Sequence, residues 1–138
     1  MSPAHVEKAI LEAIQLDLTP HLEKLHEYRY LSEPGEVEVK CQQTDDPLTK
    51  TLVLRILFDH EHKNIQIPNI FMPQAMTHQG IGKKTMQTIF DVARPLGYEL
   101  YIIELVNSFK NRLLNRGAIL VLEDAVKITD QTNLRSGH

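Results

Sequence analysis

At 138 residues, with 42% apolar and 24% charged side chains, the chain has the composition of one globular domain that buries a core of its own. A formal net charge of −3 excludes a chain that is basic throughout, as a nucleic-acid binder would be, and no apolar run approaches the ~18 residues of a membrane span. The single cysteine, Cys41, excludes an internal disulfide and fits a reducing, cytoplasmic setting; it reads as a buried strand residue rather than a nucleophile.

Residues 1–18 mix acids with apolar residues and lack the uninterrupted apolar core of a signal peptide. Val6, Ile10, Ala13 and Ile14 recur at helical spacing behind a Ser2-Pro3 cap and first turn. Pro20 breaks or kinks this helix, and Leu22, Leu25 and Tyr28 continue a second amphipathic set, so residues 1–30 read as a helical N-terminal segment. Ser32-Glu33-Pro34-Gly35 signals a turn. Val37, Val39 and Cys41 then alternate with Glu36, Glu38 and Lys40, the pattern of a strand with one wet face. A polar loop over 44–49 precedes a second strand carrying Leu52, Leu54, Ile56 and Phe58. Residues 59–64 read as a hairpin loop and 65–72 as a third strand. His60, Glu61 and His62 fall in that loop; a metal site needs more ligands than this, so they read as a solvated turn and no metal is expected.

Next comes Gln79-Gly80-Ile81-Gly82-Lys83-Lys84, followed by a helical stripe of Thr85, Ile89, Val92, Ala93 and Leu96 that Pro95 and Gly97 end. A glycine loop that opens a helix is a phosphate site, because backbone N–H groups approach the ligand closely and the helix N-terminus is partially positive. Residues 98–106 are almost wholly apolar, as in a central strand covered on both faces. Asn107 or Ser108 caps a short helix with Phe109, Leu113 and Leu114, which Gly117 stops. Residues 118–122 and 125–128 form a hairpin turning at Glu123-Asp124, and 129–138 is a polar, frayed tail. The domain thus comprises a helical segment, a core over 36–128 and a tail. Its order of elements gives an α/β (α+β) fold, a mixed sheet with helices packed on it.

The loop fits two familiar phosphate templates poorly. A dinucleotide fingerprint needs a third glycine where Thr85 stands, and a Walker loop needs a glycine where Thr77 stands. From Ile65 through Ala118 the chain instead resembles the GNAT superfamily of acyl-CoA-dependent N-acetyltransferases. The family motif Arg/Gln-x-x-Gly-x-Gly/Ala is matched by Thr77, His78, Gln79, Gly80, Ile81 and Gly82, with Thr77 in place of the long side chain. The resemblance implies a mostly antiparallel sheet with helices on both faces, and here a helix in place of the usual first strand.

It sets Thr77 through Gly82, with Lys83 and Lys84 as charges, against the pyrophosphate of acetyl-CoA. It lays Ile70, Phe71 and Met72 along the pantetheine arm, where a β-bulge splays the strand from its neighbour. It brings Asn107, at the head of the next helix, near the acyl group. The family's usual acid is a tyrosine at the position of Leu113, and its occasional basic glutamate falls near Gln66. Glu104, toward the end of the strand after the loop helix, is then the best-placed carboxylate for a base. Lys110, Arg112 and Arg116 form a basic set that suits the adenosine 3′-phosphate region, an acidic partner or the helix dipole alone.

The implied activity is transfer of an acetyl group from acetyl-CoA to an amine on a protein or small molecule. The alternative is a GNAT-like domain that binds acyl-CoA or a protein partner without transfer. Neither membrane nor nucleic acid is an expected partner. The N-terminal helix has three open readings: a lid, a homodimer interface, or a filler for the missing strand.

Overall fold

A computed structural model describes residues 2–135. Among them, three α-helices, α1 (Pro3–Leu22), α2 (Ile81–Ala93) and α3 (Asn107–Asn115), accompany one seven-stranded sheet. Its strands are β1 (Glu27–Glu33), β2 (Glu36–Gln42), β3 (Lys50–Asp59), β4 (Asn64–Ile70), β5 (Glu99–Ile102), β6 (Ile119–Leu122) and β7 (Ala125–Ile128), in the order β1-β2-β3-β4-β5-β7-β6. Every neighbouring pair is antiparallel except β4–β5, so the sheet is mixed and mostly antiparallel, as the sequence implied.

Strand alternation sorts the sheet into two unlike faces. Val37, Val39, Leu54, Ile56, Ile65, Ile67, Leu100 and Val126 are essentially inaccessible on one face, beneath α1 and α2, which pack on each other. Glu36, Glu38, Lys40, Arg55, Gln66, Tyr101 and Lys127 alternate with them and give the opposite face its polar character. Arg55 reaches Glu36 at 3.3 Å, and Lys127 pairs with Glu99. Helix α1 contributes Val6, Ile10, Ile14, Leu18 and Leu22 at near-perfect four-residue spacing, the stripe that its burial requires. Ser2 Oγ accepts from the His5 N–H at 3.2 Å and caps it. Pro20 is tolerated one turn from the end: the N–H it lacks would serve the carbonyl of Leu16, which is on the 81%-exposed side where water substitutes.

Three readings of the sequence are corrected here. Helix α1 ends at Leu22, and Glu27–Glu33 is a strand, not a continuation of the helical segment. Leu25 and Tyr28 fit a helical spacing, but Tyr28 and Tyr30 also fit a period of two, and the β2 ladder decides between them. Tyr30 packs its ring edge-on to Tyr28, and its hydroxyl meets Thr19 Oγ1 at 2.8 Å on α1. Second, β5 is four residues long and covered on one face only; Glu99 is exposed and Tyr101 half-exposed on the other. Third, α3 begins at Asn107 with Val106 at its cap and no side-chain capping bond, so neither Asn107 nor Ser108 caps it.

His60 is also not a solvated turn residue. Its Nε2 lies 2.5 Å from Glu7 Oε2 on α1, and its Nδ1 lies 2.5 Å from the Tyr98 hydroxyl at the start of β5. The Glu7 carboxylate additionally accepts from the Gly35 N–H at 3.1 Å in the β1–β2 turn, where φ is +87°. One half-buried chain of hydrogen bonds therefore ties four parts of the fold. His62, by contrast, pairs with Asp59 and is exposed. Burial and the Glu7 charge push the Tyr98 phenol above its ordinary range, and burial does the same to Tyr30. A raised folded-state pKa means the unfolded phenol ionises first, so stability present below about pH 10 falls as pH rises above it. Losing the hydrogen bond to His60 should make Tyr98→Phe less stable than wild type at pH 7, and losing the phenol should make its stability fall less steeply above pH ~10 in thermal melts. Parallel curves for the two proteins would refute this.

Candidate functional site

The site grows from the meeting of β4, α2 and α3. β4 pairs with β5 only from Asn64–Glu99 to Ile67–Ile102, closed by an Ile103 N–H bond to the Ile67 carbonyl at 3.0 Å. Beyond Ile67 the two parallel strands part. Pro68 sits at the parting and brings no N–H to the ladder. Opposite it the β3–β4 register shifts, with Leu57 facing Gln66 but Arg55 facing Asn69. That leaves Ile67 and Pro68 opposite Ile56, a bulge on β4 that comes earlier than residues 70–72, where the resemblance set it.

After Ile70 the chain crosses a short turn and reaches the glycine loop. Thr77 Oγ1 donates to the Gln74 carbonyl at 2.8 Å and the Gln79 amide to the Ala75 carbonyl at 3.0 Å, so both side chains brace the loop. His78 is exposed with φ +62°. Gly80, in the left-handed region at φ +71°, is the N-cap of α2 and contributes no capping side chain. First-turn N–H groups have no acceptor within a helix, so a glycine cap leaves them to be served from outside it. Gly82 faces the end of β4: a Cβ there would meet Met72 Cγ at 3.7 Å and Ile70 Cδ1 at 3.8 Å. Lys84 is drawn sideways to Asp17 of α1, at 3.7 Å, and Thr88 donates to the same carboxylate.

These parts border an open cleft of ≈ 1370 Å³ that runs from the loop down the groove between α2 and α3. Ile70, Phe71, Met72, Thr77, His78, Gln79, Gly80, Ile81, Gly82, Lys83 and Lys84 all line it, so the structure brings together nearly all the proposed ligand contacts. Two proposed residues stand apart. Asn107 is exposed outside the lining. Glu104 is exposed at φ +56° and lies toward Arg55, whose guanidinium it helps hold protonated after the stronger effect of Glu36; it does not line the cleft.

From α3 and its C-cap, Phe109, Arg112, Leu113 and Arg116 enter the lining, and the Arg112 guanidinium lies over the Phe109 ring, 5.5 Å from its centroid. Lys110 leaves the basic set, because its Nζ donates to the Glu123 carbonyl at 2.8 Å. Leu113, at the position that the resemblance gives to an acid, is buried. Tyr98 is at the far end of β5 with His60, and Tyr101 is on the polar face near Glu99, so no tyrosine lines the cleft. Among the described residues no group of three or more His, Cys, Asp or Glu side chains is arranged for a metal ion, and no helix is long and apolar enough to cross a membrane.

The tail supplies what the sequence reading missed. Residues 129–135 are docked rather than frayed; residues 136–138 lie outside the described part. Leu134 is 2% exposed and Thr132 7%, and both Leu134 and Arg135 belong to the strap that closes one side of the groove. Asn133 N–H donates to the Arg116 carbonyl at 2.7 Å, while Arg116 Nη1 donates to the Asn133 carbonyl at 3.0 Å. Asp130 pairs with Arg94 and Arg135 with Asp91, both on the α2 side. The one sequence signal was an isolated leucine in a polar segment.

No protein-family model matches the chain, and no curated protein matches it. Among solved structures it is similar to the "putative acetyltransferase from Agrobacterium tumefaciens", at 16% identity and a TM-score of 0.41, over 92% of this chain and 90% of that one.

Proposed function

We propose that the cleft binds acetyl-CoA and that the protein is an N-acetyltransferase of GNAT type, passing the acetyl group to an amine. The observation that carries this reading is the placement of a glycine-capped helix N-terminus beside two parallel strands that part at Ile67. The first turn of α2, with Lys83, would hold the pyrophosphate. The β5-facing edge of β4 beyond Ile67 would hydrogen-bond the pantetheine amides as a missing neighbour strand would. Ile70, Met72 and Leu113 would give the arm an apolar channel.

When bound, the thioester supplies an activated acyl carbon. The amine must arrive neutral; its nitrogen bonds to that carbon as the carbon–sulfur bond breaks, and the amine proton ends on the departing thiolate. With Leu113 in place of a tyrosine, that proton travels through water. Positioning along β4 and the loop then supplies most of the acceleration.

Saturating acetyl-CoA should raise the thermal midpoint. At a hundredfold excess over Kd the gain is about 2.7 kcal/mol. An unchanged midpoint at millimolar ligand would sink the reading. The absence of a tyrosine and of Glu104 from the cleft favours a second reading, an acyl-CoA-binding module without transfer. Thiol release from acetyl-CoA across a panel of amines separates the two: release supports the enzyme, and binding without release supports the module.

A further inference from the structure

The two edges of the sheet are guarded differently. β1, at one edge, carries Glu27, Arg29 and Glu33 among its seven residues. Charges of this kind keep an edge strand from pairing with another chain. β6, at the other edge, reads Ile119-Leu120-Val121-Leu122, with no charge and no proline. All four residues are between 41% and 67% exposed, whereas Ala125, Val126 and Ile128 on the neighbouring β7 are buried.

The apolar character of β6 is not confined to one face. Its register sets Ile119 opposite Lys127, on the polar face of the sheet, and Leu120 opposite Val126, on the face that the helices cover. A strand apolar on both faces is the pattern of a sheet interior, where a neighbour lies on each side. Here β7 supplies one neighbour only. The patch also continues past the strand. The Leu105 N–H donates to the Asp124 carbonyl at 2.8 Å, which sets the exposed Val106 near the turn that follows Leu122. Five aliphatic side chains in this state amount to roughly a few hundred Å², the size at which an apolar patch marks an interface.

We infer that β6 pairs antiparallel with β6 of a second copy, joining two seven-stranded sheets across a two-fold axis. This does not depend on the acyl-CoA reading. Charge favours both the partner and the direction. Arg112 and Arg116 precede the strand, and Arg116 Nη1 donates to the Asn133 carbonyl without losing its charge. Glu123 and Asp124 follow it, with Lys110 Nζ held at the Glu123 carbonyl. The strand thus runs from a basic end to an acidic one. Antiparallel pairing of two copies brings each basic end to the other's acidic end, while parallel pairing would bring like charges together. Each copy has one unguarded edge, so a two-fold axis closes the assembly at two. A specific dimer buries about 800 Å² on each partner, so the apolar strand forms the centre and the charged ends the rim.

Sedimentation equilibrium of the full chain over a range of concentrations tests this. Wild type should be a dimer. Val121→Lys sets like charges against each other near the two-fold axis and should weaken the dimer at least tenfold, with an unchanged circular dichroism spectrum because the position is exposed at a sheet edge. Glu123→Lys, in the exposed turn, should weaken it too, since it meets the basic end of the other copy; it carries the same test should Val121→Lys fail to fold. Leu16→Lys replaces an exposed leucine on α1 and should leave the dimer as it is. A wild type that stays monomeric at about 100 µM would overturn the inference and leave the edge to a different chain. So would a dimer that Leu16→Lys dissociates and the other two variants do not, or an assembly that grows past two copies.

Discussion

Gly80→Glu should abolish the acetyl-CoA-dependent rise in thermal midpoint and leave the free protein folded. Gly80 adopts φ +71°, and a Cβ built on it meets nothing within 4 Å. A side chain therefore fits in space but strains the backbone, at about 1–2 kcal/mol for a left-handed non-glycine residue. A carboxylate beside a helix N-terminus returns roughly 0.3–1 kcal/mol of that through the dipole. The unliganded variant should thus melt only slightly below wild type. Ligand binding is another matter, because the glutamate places its own anion at the donors the pyrophosphate would use, and like charges compete for one site. Gly80→Ala carries the strain without the charge and should keep most of the ligand response. A full response in Gly80→Glu would remove the loop from the binding site.

Gly117→Ala should be among the most destabilising single-methyl additions in the chain. Gly117 sits at φ +98° after α3, and an added Cβ would lie 2.4 Å from the carbonyl oxygen of Gln131 and 3.3 Å from its carbon. Those are backbone atoms, which cannot swing aside as a flexible side chain would. The strap must lift, and Leu134 and the two Arg116–Asn133 bonds go with it. Strain of ~1–3 kcal/mol and the lost burial of one leucine, ~1.5–3 kcal/mol, together give a loss of about 2.5–6 kcal/mol in denaturant unfolding. Gly35→Ala is the matched control: φ is +87° but the space is open, so only the conformational cost of about 1–2 kcal/mol applies. Equal losses in the two variants would show that the strap is not held against Gly117.

What could be read from the residues alone divides by the range of the interaction. Period-two alternation in β2 and β3, the hairpin at Glu123-Asp124, the glycine loop and the stop at Gly117 are local patterns, and each forms where its residues stand. The failures concern partners distant in sequence. Tyr28 satisfies helix and strand spacing equally until β2 lies beside it. His60 looked like turn decoration because Glu7, 53 positions away, gives no sign of reaching it. Glu104 was placed by strand extrapolation, but β5 ends at Ile102 and Glu104 stands outside the cleft. Arg135 and Leu134 lay in a segment whose composition matches a loose end; the groove they fill exists only once α2 and α3 are in place.

The packing of α1 on α2 also bears on how the chain is made. Thr88 and Asp17, which join the two helices, are 71 positions apart. During synthesis the apolar stripe of α1, with Ile10, Ile14 and Leu18, is complete long before the helix that covers it beside the sheet has been translated. Contacts of such separation slow folding, and an uncovered stripe is what chaperones and neighbouring nascent chains can bind. The two helices are thus joined only after residues 81–93 have been translated.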